Sequence, residues 1–239
     1  MLTLALETSG AAGSVALVDD AGCLDERRLE LGLRHGQSLI PEIRRLLGDF
    51  GKSPRDCQLV AVSIGPGSFT GLRVGVVCAK TLAYAIGCQI AAVETLTAVA
   101  YNAPADVHEL QVISNAQRND VFLSRHRRES ADRWKTVNGV SIMNIDQWAA
   151  ELRPDDAVTG PGLVQFADVL RGRCRLLRED GWHPRGRWVA MLGRRLVAEG
   201  VHVNPWTLEP LYLRRSSAED MWEARQPHNR PPPAAAGLP

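Results

Sequence analysis

The sequence predicts a mixed α/β protein of two lobes, and three features of its first hundred residues carry that expectation. Short apolar segments at 2–6, 13–18 and from 23 to about 31 form a meander of three strands. An amphipathic helix follows over 37–50. The apolar run 59–64 then stops at Gly65-Pro66-Gly67, and a small-residue, apolar helix runs from about Thr70 to Ile86.

Asp19-Asp20-Ala21-Gly22 supplies the turn between the second and third strands, and charged residues interleave through the third. In the first helix Leu39, Ile43, Leu46, Leu47 and Phe50 share a face, and Pro41 falls in the first turn, where its missing N–H costs little. A strand over 89–93 closes this half. In the second half, 111–114 and 121–125 read as a hairpin, 144–153 as a helix capped by Asn144, and 157–159 as a strand. Gly160-Pro161-Gly162 echoes the first glycine turn and leads into a helix to about 170; another helix spans 188–199. The lobes divide near Ala103-Pro104-Ala105, giving 1–104, a smaller and divergent 105–223, and a Pro- and Ala-rich tail at 224–239 expected to be disordered.

The glycine segment admits two uses. Strand, glycine turn and helix N-terminus build a pocket of backbone amides suited to a phosphate, with Gly65, Gly67, Ser68 and Thr70 as the candidate loop. The helix also carries Gly71, Gly75, Ala79 and Ala83 at four-residue spacing, a face that lets another backbone come close. A tight turn with close internal packing is the plainer reading of the same glycines. No Lys-Ser/Thr follows the loop, so it is not a Walker A motif. The G-x-G-x-x-x-G spacing is one residue too long for a dinucleotide fingerprint, although Glu94 closes the next strand where a ribose-binding acid would stand. The order β-β-β-α-β-α-β is instead that of a ribonuclease-H-like half, the building block of the actin, Hsp70 and sugar-kinase superfamily.

Leu-Ala-Leu-Glu-Thr-Ser at 4–9, Gly-Ser-Val-Ala-Leu at 13–17, His35, the block Gly-Pro-Gly-Ser-Phe-Thr-Gly-Leu-Arg-Val-Gly at 65–75, Lys80, Leu82 and Ala83, and Pro-Leu-Tyr-Leu-Arg at 210–214 resemble the TsaB (YeaZ) family. The resemblance is dense over 1–100 and thin beyond. It implies two ribonuclease-H-like lobes and a non-catalytic subunit in the synthesis of threonylcarbamoyladenosine at position 37 of tRNA. The implied partners are the catalytic paralogue TsaD and the ATPase TsaE, with a homodimer in isolation and tRNA met within the complex. The implied interface is the helix after the glycine loop, through Gly71, Leu72, Gly75, Val76, Ala79 and Ala83. The resemblance fixes no cofactor; ATP or ADP at the interface with partner subunits is compatible with it. Where the family's second half opens with Asp-Ala-Arg, this chain reads Asn115-Ala116-Gln117, two neutral amides in place of an acid–arginine pair.

Glu7, with Ser9 beside it, stands where kinases of the superfamily hold a metal-binding Asp, so a vestigial metal or phosphate site and a nucleotide-dependent enzyme form the alternative reading. The histidines His35, His108, His126, His183, His202 and His228 are scattered singles, without the H-x-x-x-H pair that holds a metal in the catalytic paralogue. Neither H-E-x-x-H nor G-x-S-x-G occurs, and no metal site is read. Five unclustered cysteines predict a reduced, cytoplasmic setting. The chain opens directly on a strand and no 18-residue apolar run is read, which predicts neither a signal peptide nor a membrane span. Net charge is +1, but 171–195 holds eight arginines with Trp182 and Trp188 interleaved. That pattern makes Arg185 and Arg187 candidates for a tRNA contact, or the whole chain an RNA-binding module. Because 25 of the 28 basic residues are arginine, a solvated helix and loop in an arginine-rich proteome is the plainer account.

Overall fold

The computed structural model describes residues 1–11, 13–29 and 35–214 and contains two five-stranded mixed sheets with flanking helices. The first is built from β1 (Thr3–Glu7), β2 (Ser14–Asp19), β3 (Gly22–Arg28), β4 (Leu59–Gly65) and β5 (Gln89–Glu94) in the order β3-β2-β1-β4-β5. The meander pairs antiparallel, while β1–β4 and β4–β5 pair parallel. Strand alternation sorts the side chains. Leu4, Leu6, Val15, Leu17, Val60 and Val62 face α1 (His35–Asp49) and α2 (Phe69–Ile86). Ala5, Ala16, Ala61, Ala91 and Val93 face the other way. Both faces are covered, so β1 is buried from end to end.

The second sheet repeats the first strand for strand. β6 (Glu109–Gln117), β7 (Asp120–Ser130), β8 (Arg133–Asn144), β9 (Ala157–Thr159) and β10 (Arg175–Leu176) lie in the order β10-β9-β6-β7-β8, with the same parallel and antiparallel pairings. α4 (Ile145–Glu151) follows its third strand and α5 (Leu163–Leu170) its fourth, as α1 and α2 do in the first lobe. Asn144 caps α4 as expected, accepting from the amides of Asp146 and Gln147.

α6 (Gly186–Ala198) returns to the first lobe, where Val189 and Ala190 are buried on the alanine-rich sheet face beside α3 (Thr95–Ala100). Small residues set that approach: a Cβ on Gly193 would lie 2.6 Å from Ala61 Cβ and 3.2 Å from Ala91 Cβ. A division at 104 therefore separates the sheets but assigns to the second lobe a helix that packs on the first. Asn102 holds the crossing, donating to the carbonyls of Gly181 and His183 and accepting from Trp188 Nε1.

Several local expectations change. α1 starts at His35, so Pro41 sits in its second turn and removes one helical hydrogen bond there. Phe50 falls past the helix end and is 38% exposed. Residues 30–34, which include the expected end of the third strand, and the tail 224–239 lie outside the described residues. α2, at 18 residues and mean hydropathy 1.3, is long and apolar enough to cross a membrane by length and composition, contrary to the sequence reading. A third of it is buried in the fold, and Lys80 Nζ ties it to the carbonyls of Trp206 and Leu208.

Candidate functional site

Glu7 ends β1 in full burial. Its Oε1 accepts from Ser9 N at 2.7 Å, from Ser9 Oγ, and from Ser63 Oγ at 3.1 Å. Its Oε2, like the neighbouring Thr8 Oγ1, is buried without a hydrogen-bond partner among the described residues. Burial pushes the Glu7 carboxyl up to about 7, against the pull of those hydrogen bonds. The glycine loop closes on this strand end. Ser68 N donates to Ser9 O at 2.6 Å, and a Cβ on Gly67 would strike that same carbonyl. Gly65 N is taken by Thr95 Oγ1, and Gly71 N by the capping hydroxyl of Ser68. The expected phosphate loop is thereby corrected: two of its amides, Gly65 and Ser68, already bind protein acceptors, as does Gly71 just beyond it, and the backbone of Ser9 fills the approach at Gly67. The same crowding does not fit a metal at Glu7 and Ser9, and among the described residues no group of three or more metal-binding side chains occurs.

The small-residue stripe is corrected as well. Gly71, Leu72, Gly75, Val76, Ala79 and Ala83 are the buried residues of α2. They face the protein's own sheet, where a Cβ on Gly75 would collide with Thr8 Oγ1. Close helix–sheet packing is what these residues permit. The face left for a partner is the opposite one. There Tyr84 is 71% and Val77 61% exposed, and Val77 with Ile40 of α1 (51%) flanks an apolar groove of about 460 Å³ bounded by Val74, Cys78 and Leu82. Aromatic contacts rim this face: Tyr84 meets Trp206 edge-on at 5.2 Å, and the Arg73 guanidinium lies 3.9 Å from the Phe69 ring centre. The sequence held a usable signal, since Arg73, Thr81 and Tyr84 mark the solvent side of a helix otherwise apolar all round.

The remaining candidates are placed as follows. Glu94 caps α3, accepting from Leu96 N and Thr97 Oγ1, which removes it as a ribose ligand. Arg185 and Arg187 border one cavity, but Arg187 is bound to Glu26 at 2.6 Å. Neither tryptophan of the arginine-rich stretch is a free stacking platform. Trp182 Nε1 donates to Leu177 O, and Trp188 lies against Tyr101. Arg171, Arg175, Arg178 and Arg194 pair with acids, so the stretch forms no continuous basic track. His126 is buried and locally bonded, its Nε2 2.8 Å from Ser124 Oγ, and burial draws it down to about 4. Asn115 Nδ2 donates to Gln165 and its Oδ1 accepts from the backbone Gln117 N, so the Asn115 amide, in place of the family's acid, fastens the β6 end to α5.

Two sheets of one topology, with helices inserted at matching points, define a two-lobed protein with the ribonuclease-H-like halves that the sequence predicts. Residues 31–156 match the family described as TsaD, tRNA N6-adenosine threonylcarbamoyltransferase. The tRNA threonylcarbamoyladenosine biosynthesis protein TsaB of Bacillus subtilis is 29% identical over 93% of this chain and 98% of its own, and that of Escherichia coli 26% over 91% and 96%. YeaZ from Pseudomonas aeruginosa shares the fold at a TM-score of 0.76 and 24% identity, covering 89% of this chain and 99% of its own. The chain belongs to the TsaB branch of this family. That membership places it in the machinery that makes threonylcarbamoyladenosine in tRNA.

Proposed function

We propose that this chain is a non-catalytic subunit that docks on the catalytic paralogue TsaD, in an assembly that also includes the ATPase TsaE. The outer face of α1 and α2 carries this reading. Val77 and Ile40, exposed around one groove, and Tyr84, exposed further along α2, gain by being covered. Two adjacent helices also offer ridges and grooves to the helices of a partner. In isolation a second copy covers the same face, and TsaD displaces it; tRNA is met within the assembled complex. The occupied amides of the glycine loop and the crowding at Glu7 and Ser9 support a role without catalysis of its own. Any ATP or ADP then belongs at the junction with the partner subunits.

Val77→Asp is the direct test, because the site is exposed and the change should alter stability by no more than about 0.5 kcal/mol. The expected result in size-exclusion chromatography with light scattering is loss of both the homodimer and the one-to-one TsaD complex. Undiminished TsaD binding by this variant would defeat the proposal. Substituting Gly75 does not discriminate, since a side chain there strikes Thr8 inside the lobe.

A further inference from the structure

A second cavity, of about 230 Å³, lies where the β3 edge meets the turn into α6; Arg28, His183, Arg185, Arg187, Glu26 and Asp180 border it. The charges around it do not cancel. Glu26 is almost fully covered and bound on both oxygens by Arg187, through Nε at 2.6 Å and the backbone amide at 3.2 Å. Asp180 lies 3.7 Å from Arg178. Those two pairs neutralise themselves and leave two cations over. The Arg28 side chain is exposed and makes no hydrogen bond or ion pair among the described residues. Arg185 donates only to the Asp180 backbone carbonyl, at 2.9 Å.

His183 also borders the cavity. Its Nδ1 is buried without a hydrogen-bond partner among the described residues, and its carbonyl accepts from Asn102 Nδ2 at 2.8 Å. A buried nitrogen left unpaired is costly, and such atoms in folded proteins normally have a partner. Burial first, and then the nearby Arg28, hold the imidazole below its usual range, against the opposing pull of Glu179. The N-terminus of the 13-residue α6 adds to that potential, although Ser14 Oγ and Glu26 already take up the amides of Gly186 and Arg187. The cavity therefore offers side-chain donors and net positive charge.

We propose that this notch binds a phosphate group, clamped by the guanidinium groups of Arg28 and Arg185 with the imidazole of His183 as third partner. Guanidinium forks match phosphate oxygens in pairs, and no carboxylate in the cavity is left without a cation to oppose the anion. The phosphate is carried either by an RNA backbone or by a small phosphorylated molecule. This inference stands apart from the docking face on α1 and α2, and either can fail alone.

The test titrates inorganic phosphate into the full chain and follows the His183 imidazole by NMR, its resonance identified by its loss in His183→Gln. Saturable binding that raises the His183 pKa, with His126 unmoved in the second sheet, is the expected result. The double variant Arg28→Ala, Arg185→Ala should weaken that binding about tenfold or more, as loss of charged hydrogen bonds predicts. Both sites lie at the surface, so the variant should keep the wild-type near-UV circular dichroism. Phosphate that moves His183 no more than His126, or binds the double variant equally well, overturns the proposal. Transfer RNA as a second titrant separates the sources. A His183 response to tRNA that phosphate reverses assigns the site to an RNA backbone, whereas a response to phosphate alone assigns it to a small phosphorylated ligand.

Discussion

The two lobes share a strand order but not a finish. In the first, helices cover both sheet faces and β1 is entirely buried. In the second, β9 and β10 are short, most of β8 is exposed, and a cavity of about 680 Å³ beside Arg125, Trp148 and Arg153 opens on the α4 side. Their glycine turns nevertheless coincide: Gly65 ends the fourth strand of its lobe and Gly160 directly follows that of the other, with φ of 119° and 120°. The ends of the first strands diverge, into a buried acid at Glu7 and an exposed amide at Asn115. The turn is what the topology demands of both halves. The polar residue at the strand end is what each half has changed independently.

Breaking the shared turn should cost most. Gly160→Ala places a Cβ against the backbone of Ile113 at a φ that side chains avoid, and a loss on the order of 4 kcal/mol is expected in urea unfolding. Gly172→Ala is the comparison, at positive φ but in open space, with an expected loss of about 1 kcal/mol.

The divergent acid comes next. The Glu7 carboxyl holds its proton up to about pH 7 when folded, against 4.5 for its ordinary value. Between those pH values the unfolded chain binds fewer protons, so stability falls as pH rises and levels off above 7. The total is on the order of 3 kcal/mol. Glu7→Gln should remove this slope, leaving a variant closest to wild type below pH 4.5 and relatively more stable above 7. Parallel pH profiles for the two proteins would show that Glu7 is not the group responsible.

The smallest effect concerns the tie between lobes. Arg214 reaches the carbonyl of Ala116 and, at 2.7 Å, the carboxylate of Asp120, while Leu211 N caps Ile64 O at 2.7 Å. Arg214→Ala should lower stability by about 1 kcal/mol and raise amide exchange in the β6–β7 turn before elsewhere.

The first lobe was readable because its inner strands are short apolar runs and a glycine turn separates strand from helix. The second was readable in its hairpin, in α4, in the strand 157–159, in the echo at Gly160-Pro161-Gly162 with the helix after it, and in α6. β8 was missed because Trp134 is its one buried side chain, which leaves no alternation to detect. α3 was missed because Thr95–Ala100 runs on from β5 without a breaker; the acid cap at Glu94 was its signal. At the candidate site, spacing located a face of small residues on α2 but not its direction. The small residues fill the sheet side, where Gly75 meets Thr8, and Arg73, Thr81 and Tyr84 were the signal for the opposite side. Arg28 escaped notice because its value depends on His183 and Arg185, which the chain places over 150 residues away.

The return of α6 to the first sheet bears on how the protein is made. A ribosome delivers β1 through α3 long before it delivers Gly193, so the alanine floor that this glycine covers stays open while the whole second lobe is synthesised. The amino-terminal half is born first but finished last. Nascent chains stalled before residue 198 are expected to be cleaved by protease across residues 1–104, and chains stalled well beyond it to resist. Equal resistance at both lengths would mean that the first sheet closes without its helix.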